Sequence, residues 1–453
     1  MKTIFISLLS GVEAKGVLRS NIVSRLLEDH TVRVVLLLKS KERVDFYQQE
    51  YHHPNLIYEV IESYPFSWFN RFFEYAKHYL VRTRTLNLYK RLRYEDSHNT
   101  LLFLVSHLVS IVFANKFFRS ISRFLDLHMA QDTIFDSFFR KYHPDVVFLA
   151  NLFDEVEISI LRKARHEKVP TIGFINSWDK VTSKGFVRLL PDLLIVTNML
   201  VQKDAIQHVD MPAEKIIISG VPNYDPYIDH KALLSREQFF NTIKISPKKK
   251  LIVFGPIGKS ISNSDWDAID MVQEIINTHF SNEAALLVRF QPNDFGGDEE
   301  EFAKRPDLHF DIPGVRFSTT RGMDWDMTTR ELDHLRNTLF HMSLLVSYAS
   351  SLSIDAACFD KPIINIGFEV KENEPALKQP TRRFATEHYT HALNTGAITL
   401  VKSRDKLITT IREYLKHPEK DHEARTRLVQ EQCYLLDGKA GKRIVEAIRQ
   451  VSK

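Results

Sequence analysis

Ser350 and Ser351 stand just after an apolar run, Leu344-Leu345-Val346, in the stretch YASSLSIDAACFDKPIINIGFE. The run reads as a β-strand, and the small residues Ile354-Asp355-Ala356-Ala357 read as the helix that follows it. A helix start behind a strand offers free N–H groups and positive potential, which suit a phosphate or pyrophosphate. Capping an ordinary buried helix is the other use of such serines, and the pair alone does not separate the two. A second set of chemically capable residues recurs at matching points of the chain. Gly11 and Glu13 follow the apolar run Thr3 to Leu9, and Asp154 and Glu155 follow Asp145 to Ala150. Ser177, Trp178, Asp179 and Lys180 follow Thr171 to Ile175, with Lys184 close behind. Gly255, Gly258 and Lys259 come after Leu251 to Phe254, Arg289 lies at the end of Ala285 to Phe290, and Glu369 closes Pro362 to Ile366. Ligands of parallel sheets bind at the carboxyl ends of the strands, so these polar clusters stand where a cleft is expected.

The elements that must carry these residues alternate between strand and helix. Thr3 to Leu9, a glycine turn, a helix to about Glu28 and the strand Val32 to Leu38 make a βαβ opening of Rossmann type. Its turn lacks the full Gly-x-Gly-x-x-Gly fingerprint, which argues against NAD or FAD. The rhythm resumes at Pro144, and a Gly/Pro/Asn turn at Gly220–Pro226 marks the domain boundary before it starts again at Leu251. The expected division is 1–222 as an N-terminal acceptor domain and 223–435 as a C-terminal nucleotide domain. A final helix at 436–453 is placed to pack back on the first.

Residues 64–143 interrupt the pattern. They carry twelve Lys/Arg against six Asp/Glu and 19 of the 50 aromatics, so the formal net charge of +4 conceals a slightly acidic remainder. This block reads as helices inserted in the N-terminal domain, and it has no spacing typical of a nucleic-acid-binding module. Its run LLFLVSHLVSIVFAN, Leu101 to Asn115, has no formal charge and is shorter than the ~18–20 residues of a membrane span. A buried helix with a narrow polar stripe at Ser106, His107 and Ser110 is the leading account, His107 being a core or interface residue. A monotopic contact with an anionic membrane surface is the alternative.

Two cysteines, Cys358 and Cys433, lie too far apart for metal-type spacing and fit a reducing compartment. The N-terminal apolar run ends at Glu13 and Lys15, too short for a signal peptide, and reads as the first strand. A cytoplasmic location is the expectation, with a peripheral place at the inner face of the plasma membrane as the alternative that goes with a membrane-docked insert.

Three stretches together, NSWDKVTSKG, IISGVPNYD and YASSLSIDAACFDKPIINIGFE, resemble the GT-B glycosyltransferase superfamily. The resemblance points to bacterial surface-glycan enzymes related to the glycerophosphotransferases of teichoic acid synthesis and to sugar-nucleotide 2-epimerases. It covers most of residues 140–453. It implies an α/β fold of two Rossmann-like domains facing a central cleft, and transfer of a sugar from a nucleotide-sugar to a glycan or lipid-linked acceptor. By the same resemblance Ser350 and Ser351 hold the donor diphosphate and Asp355 the ribose hydroxyls. Gly255, Gly258, Lys259 and Glu369 border the nucleotide. Arg289 sits where relatives carry Arg-x-His-Pro, but the histidine is Gln291 here. Gly11, Ser177, Trp178 and Lys184 fall on the acceptor side. Retaining members commonly carry a Glu eight residues before the ribose carboxylate, and that position is Ser347, so inversion is expected. Inversion needs a general base, for which Asp179, Glu13, Asp154 and Glu155 are the candidates. Neither a metal nor a cofactor is expected, leaving-group charge being met by a helix N-terminus and Arg or Lys. Polyol-phosphate transfer and 2-epimerisation are the alternative reactions, and a non-enzymatic nucleotide-sugar binder is a further one.

Overall fold

KTIFISL and VRVVLLL are apolar without alternation, and strands of that kind belong in a parallel sheet covered on both faces. The computed structural model describes residues 1–61, 67–130, 133–230, 233–293, 299–318 and 324–451. Residues 64–66 and 131–132 of the predicted insert, and 452–453 of the predicted final segment, lie outside that set. The chain divides into two compact units. The first holds Met1–Tyr94, His98–Pro226 and Cys433–Lys453, and the second holds Glu95–Ser97 and Tyr227–Gln432.

Seven strands build the first unit: β1 (Lys2–Leu8), β2 (Val32–Leu38), β3 (Leu56–Val60), β4 (Val146–Leu149), β5 (Thr171–Ile175), β6 (Leu193–Val196) and β7 (Ile216–Ile218). All pair in parallel, in the order β3-β2-β1-β4-β5-β6-β7. Alternate residues of β1 serve two cores. Ile4, Ile6 and Leu8 share one with Leu26 and with Ile444, Val445 and Ile448 of the Ala440–Val451 helix. Phe5 points into the other, with Phe139, Leu149 and Ile160. Asp225 caps that last helix, accepting the N–H groups of Ala440 at 3.0 Å and Gly441 at 2.8 Å.

The second unit repeats the plan with β8 (Lys250–Gly255), β9 (Ala284–Arg289), β10 (Phe310–Asp311), β13 (Leu344–Ser347), β14 (Ile363–Ile366) and β15 (Ile398–Val401). Their order is β10-β9-β8-β13-β14-β15, again all parallel, while β11 (Val315–Arg316) and β12 (Trp325–Asp326) form a small antiparallel pair. In each sheet the strand order reverses once, at β1/β4 and at β8/β13. Ligands of open α/β sheets bind at such reversals.

Between β3 and β4 the chain forms the helices Trp68–Ala76, Arg84–Ser97, Thr100–Phe113, Lys116–Met129 and Asp136–Tyr142. The run expected to be a buried helix is not buried. In the Thr100–Phe113 helix Leu104 is 58% and Leu108 62% exposed, while Ser110 is 1% exposed. The physical reason lies 20 residues upstream. Lys90 sits under the helix, its Nζ donating to Ser110 Oγ and, at 3.3 Å, to the Ser106 carbonyl. A half-buried ammonium requires polar partners, so the serine stripe turns inward and the leucines turn out. His107 is half-buried, its ring 4.3 Å from that of Phe103.

Candidate functional site

At the β1/β4 reversal of the first unit, the turns after β1, β4 and β5 share one hydrogen-bond network. Gly11–Glu13 forms a single helical turn behind β1, with Gly11 buried in it. Glu13 is fully buried, and its Oε2 accepts the N–H groups of Leu9 and, at 2.6 Å, Ser10. Its Oε1 accepts Asn151 Nδ2 at 2.9 Å. Asn151 Oδ1 and Asn176 Oδ1 both receive Lys180 Nζ, at 2.7 and 2.6 Å. Glu157, also buried, accepts the Asn151 N–H at 2.7 Å on one oxygen. Burial pushes the Glu13 and Glu157 carboxyls up. Asp154 adds to the rise at Glu13, and at Glu157 the Glu13 and Asp154 charges add to it. The Lys180 ammonium is pushed down by burial. The cluster is therefore rich in carboxyls that favour holding a proton.

The four predicted base candidates stand in different situations. Asp179 is half-buried at the end of β5, receiving the Ser177 hydroxyl on Oδ1 and the Ser183 hydroxyl at 3.2 Å on Oδ2. Trp178 beside it is half-buried and Lys184 is exposed. Gly185 fixes the loop: at φ +86° its Cβ position lies 2.8 Å from the Lys77 carbonyl, so a side chain there would collide with backbone. Asp154 caps the Glu155–His166 helix, its Oδ1 accepting the Val156 N–H at 2.8 Å. Glu155 turns the other way, into ion pairs with Lys77 and Arg188 beneath the insert. The structure thus gathers Glu13 and Asp179, with Glu157, around Lys180; Asp154 lies near Glu13 and Glu155, and Glu155 commits its carboxylate to Lys77 and Arg188. Asn151, Lys180 and Glu157 complete the network. Lys180 stands within a strand-end cluster already singled out, Asn151 directly follows the apolar run Asp145 to Ala150, and Glu157 is signalled only by a further acidic residue in a helix's first turn.

At the β8/β13 reversal of the second unit, Ser351 is the N-cap residue of the Leu352–Cys358 helix, but its hydroxyl makes no capping bond. Ser350 Oγ instead accepts the Leu352 N–H at 3.2 Å. Gly255 lets that helix approach, since a Cβ there would lie 3.0 Å from Leu352 Cδ2. Gly258, at φ +95°, and Ile257 give their N–H groups to Asp265, at 2.8 and 3.2 Å, which folds the loop after β8. Lys259 at its tip is exposed. Gln291 Nε2 donates to the Ile257 carbonyl at 2.7 Å, and Arg289 pairs with Asp311. Asp355 is buried and accepts the Tyr227 hydroxyl at 2.5 Å. Glu369 differs: its Oε1 accepts Thr381, whereas its buried Oε2 accepts no hydrogen bond among the described residues. Ser347 is fully buried, bonded to Asn365 Nδ2 at 3.0 Å.

The pattern Asp-x-Asp, often a metal signature, occurs twice, as Asp265-Trp266-Asp267 and Asp324-Trp325-Asp326. Asp265 is taken up by the β8 loop and Asp326 is buried, accepting the Met327 N–H at 2.6 Å. Neither sequence pair presents two open carboxylates.

A family model described as CDP-glycerol:poly(glycerophosphate) glycerophosphotransferase matches residues 187–450. The chain belongs to this family. It is a family of transferases, and its match runs from the end of the NSWDKVTSKG loop through the Tyr227–Gln432 segment of the second unit into the Ala440–Val451 helix. No curated protein matches the chain. Among solved structures, UDP-GlcNAc 2-epimerase from Neisseria meningitidis bound to UDP-GlcNAc is similar at a TM-score of 0.57 and 12% identity, covering 99% of this chain and 100% of its own. The UDP-GlcNAc 2-epimerase from Methanocaldococcus jannaschii is similar at 0.55 and 12%, covering 99% and 100%. A variant of the wall teichoic acid polymerase TagF is similar at 0.51 and 10%, covering 100% and 89%. These likenesses establish the GT-B type of fold for this family member, two Rossmann-like sheets in one chain.

Proposed function

We propose that this member of the glycerophosphotransferase family transfers a glycosyl unit from a nucleotide-sugar to a hydroxyl of a glycan or lipid-linked acceptor in cell-surface polymer synthesis, with inversion. Asp179 carries the reading. It is a half-buried carboxylate held from both sides by Ser177 and Ser183, oriented as a proton acceptor. Glu13 has both oxygens engaged and no exposure, so its part is to fix Asn151, and through it Lys180. On the donor side, the start of the Leu352–Cys358 helix with Ser350, Ser351, Gly255, Gly258 and Lys259 takes the diphosphate. Glu369, with one oxygen uncommitted, suits the vicinal hydroxyls of the ribose better than the inward-facing Asp355. As the acceptor oxygen attacks the anomeric carbon, its proton passes to Asp179 and the bond from that carbon to the diphosphate oxygen breaks, releasing a nucleoside diphosphate.

The family match favours a second reading, transfer of glycerol phosphate from CDP-glycerol. Attack at phosphorus spreads charge over its oxygens and calls for cations around them. Arg289 is committed to Asp311, and Gln291 to backbone carbonyls, which counts against it. The two reactions differ in the nucleotide they release. Glycosyl transfer liberates a diphosphate, and glycerophosphoryl transfer liberates CMP. A thermal-shift screen with UDP, GDP, CDP, CMP and TDP selects the base. Chromatography of the spent nucleotide then decides the bond cleaved, and CMP as the product would overturn the glycosyl reading.

A further inference from the structure

Three helices of the insert are amphipathic with the wrong side out. In Lys116–Met129 the buried residues are Arg119, Ser122 and Asp126, whereas Phe117 is 67% and Phe124 62% exposed. In Trp68–Ala76, Asn70 is buried together with Phe73, while Trp68, Phe72 and Tyr75 are exposed. The Thr100–Phe113 helix buries only Ser106 and Ser110 and exposes Leu101, Leu102, Leu104, Leu108 and Ile111. Water-facing helices of globular proteins do the reverse. The inversion is not a packing fault, because every buried polar group just named on the Lys116–Met129 and Trp68–Ala76 helices that carries charge or an amide is satisfied. Arg119 and Arg123 pair with Asp210 at 2.6 and 2.8 Å, and Asn70 Oδ1 receives Arg162 and Arg188. Between the three helices runs an apolar groove of about 470 Å³, with Phe72, Tyr75, Leu102, Val105, Phe113 and Ile121 in its walls.

We propose that this face seats the first unit on an anionic phospholipid bilayer, the groove taking lipid hydrocarbon. A 14-residue helix is about 21 Å long, short of the ~30 Å hydrocarbon core, and no single described helix is long and apolar enough to cross a membrane. The Thr100–Phe113 and Lys116–Met129 helices meet at 90°, so they enter as a bent pair lying in one leaflet. The charge around them selects the lipid. Residues 67–130 hold ten Lys/Arg and four Asp/Glu. Arg71, Arg82, Arg93 and Lys116 are exposed, while of the acidic residues Asp126 is buried and Glu95 is paired with Arg382. The same charge speaks against a second copy as the cover. A twofold interface repeats one patch on both sides and would set this cationic rim against itself. The inference stands whichever group the enzyme transfers.

The test uses the full chain and vesicles of phosphatidylcholine with and without phosphatidylglycerol. Wild type is expected to co-sediment with the anionic vesicles and about tenfold more weakly with the neutral ones, and to be released by salt. The L104E/L108E double variant, at two exposed positions, is expected to lose binding by about tenfold or more, and R71E/K116E by several-fold, with unchanged melting temperature and nucleotide binding. The R71E/K116E pair keeps the test open should the first variant fold poorly. Absence of wild-type binding to both vesicle types, or binding unaffected by either pair, would overturn the proposal. So would a wild-type dimer in solution that L104E/L108E converts to monomers while vesicle binding is absent, since a second copy would then be what covers the face.

Discussion

The first unit contains two polar interiors, and they are balanced in opposite ways. Beneath the insert, Asp126, Glu155 and Asp210 face Lys77, Arg119, Arg123, Arg162 and Arg188, and each of these carboxylates makes at least two charged contacts. At the strand ends, Glu13, Glu157 and Asp179 lie around the Lys180 amine, with Asp154 near Glu13 and Glu157. Cations in excess hold every carboxylate in ion pairs and in one geometry, which builds a scaffold. Burial first, and then neighbouring carboxyl charges, raise the proton affinity of Glu13, Asp154 and Glu157, which is how sites of proton transfer are tuned. A fully paired cluster and an underpaired one thus separate structure from chemistry within the same unit, although each draws a carboxylate from the Glu155–His166 helix.

Removing the keystone of the paired cluster should produce the largest effect. Asp126 is fully buried and receives Arg162 at 2.5 Å and Arg188 at 2.7 Å. Asp126→Asn leaves two buried guanidiniums with half their counter-charge, which costs about 3–5 kcal/mol. Chemical denaturation should show that loss. A loss below about 1 kcal/mol, the range of exposed ion pairs, would mean the network is solvated and the contrast drawn above is wrong.

The underpaired cluster should answer through activity instead. Asp179→Asn keeps an acceptor oxygen for Ser177 but removes the base, so kcat should fall by about 10²–10⁴ with the melting temperature unchanged. Glu155→Gln at the neighbouring paired cluster should do the converse, losing stability and keeping kcat in the protein that remains folded. Equal activity loss in both would erase the distinction.

Part of this was legible in the residues alone. Parallel strands read as unbroken apolar runs, so the polar turns that end them, with Glu13, Asp154, Asp179, Gly258, Ser350 and Glu369, could be placed at the sheets' carboxyl edges. Which carboxylate keeps an uncommitted oxygen could not be read, because the answer comes from distant partners. Glu155 is claimed by Lys77, 78 positions away, and by Arg188, 33 positions away. Asp355 is claimed by Tyr227, 128 positions away. The orientation of the Thr100–Phe113 helix is hidden from the sequence for the same reason. Its periodicity shows a narrow polar stripe, but periodicity does not say which side faces in, and Lys90 decides that.

A smaller effect is expected at Glu369, where the contrast between committed and uncommitted oxygens recurs in the second unit. Glu369→Gln should weaken binding of the selected nucleotide by about tenfold, the worth of a hydrogen bond to a charged group. Asp355→Asn should perturb stability through Tyr227 and leave nucleotide affinity nearly unchanged. Titration calorimetry separates them, and the opposite ranking would restore Asp355 as the ribose holder.

The smallest effect is a slope. The Glu157 carboxyl is pushed up by burial and then by the Glu13 and Asp154 charges, so over the interval from its unfolded value to its raised folded value the native state holds a proton that the unfolded state has lost. Stability then falls as pH rises through that interval, since the slope follows protons bound in the unfolded state minus protons bound in the native state. Glu157→Gln cannot ionise, yet its carbonyl can still accept the Asn151 N–H, so it removes the slope without opening the network. Melting temperatures at pH 5 and pH 8 should therefore drop less in Glu157→Gln than in wild type. Parallel drops would mean Glu157 is already charged at the lower pH, and that the strand-end cluster is as well paired as the one beneath the insert.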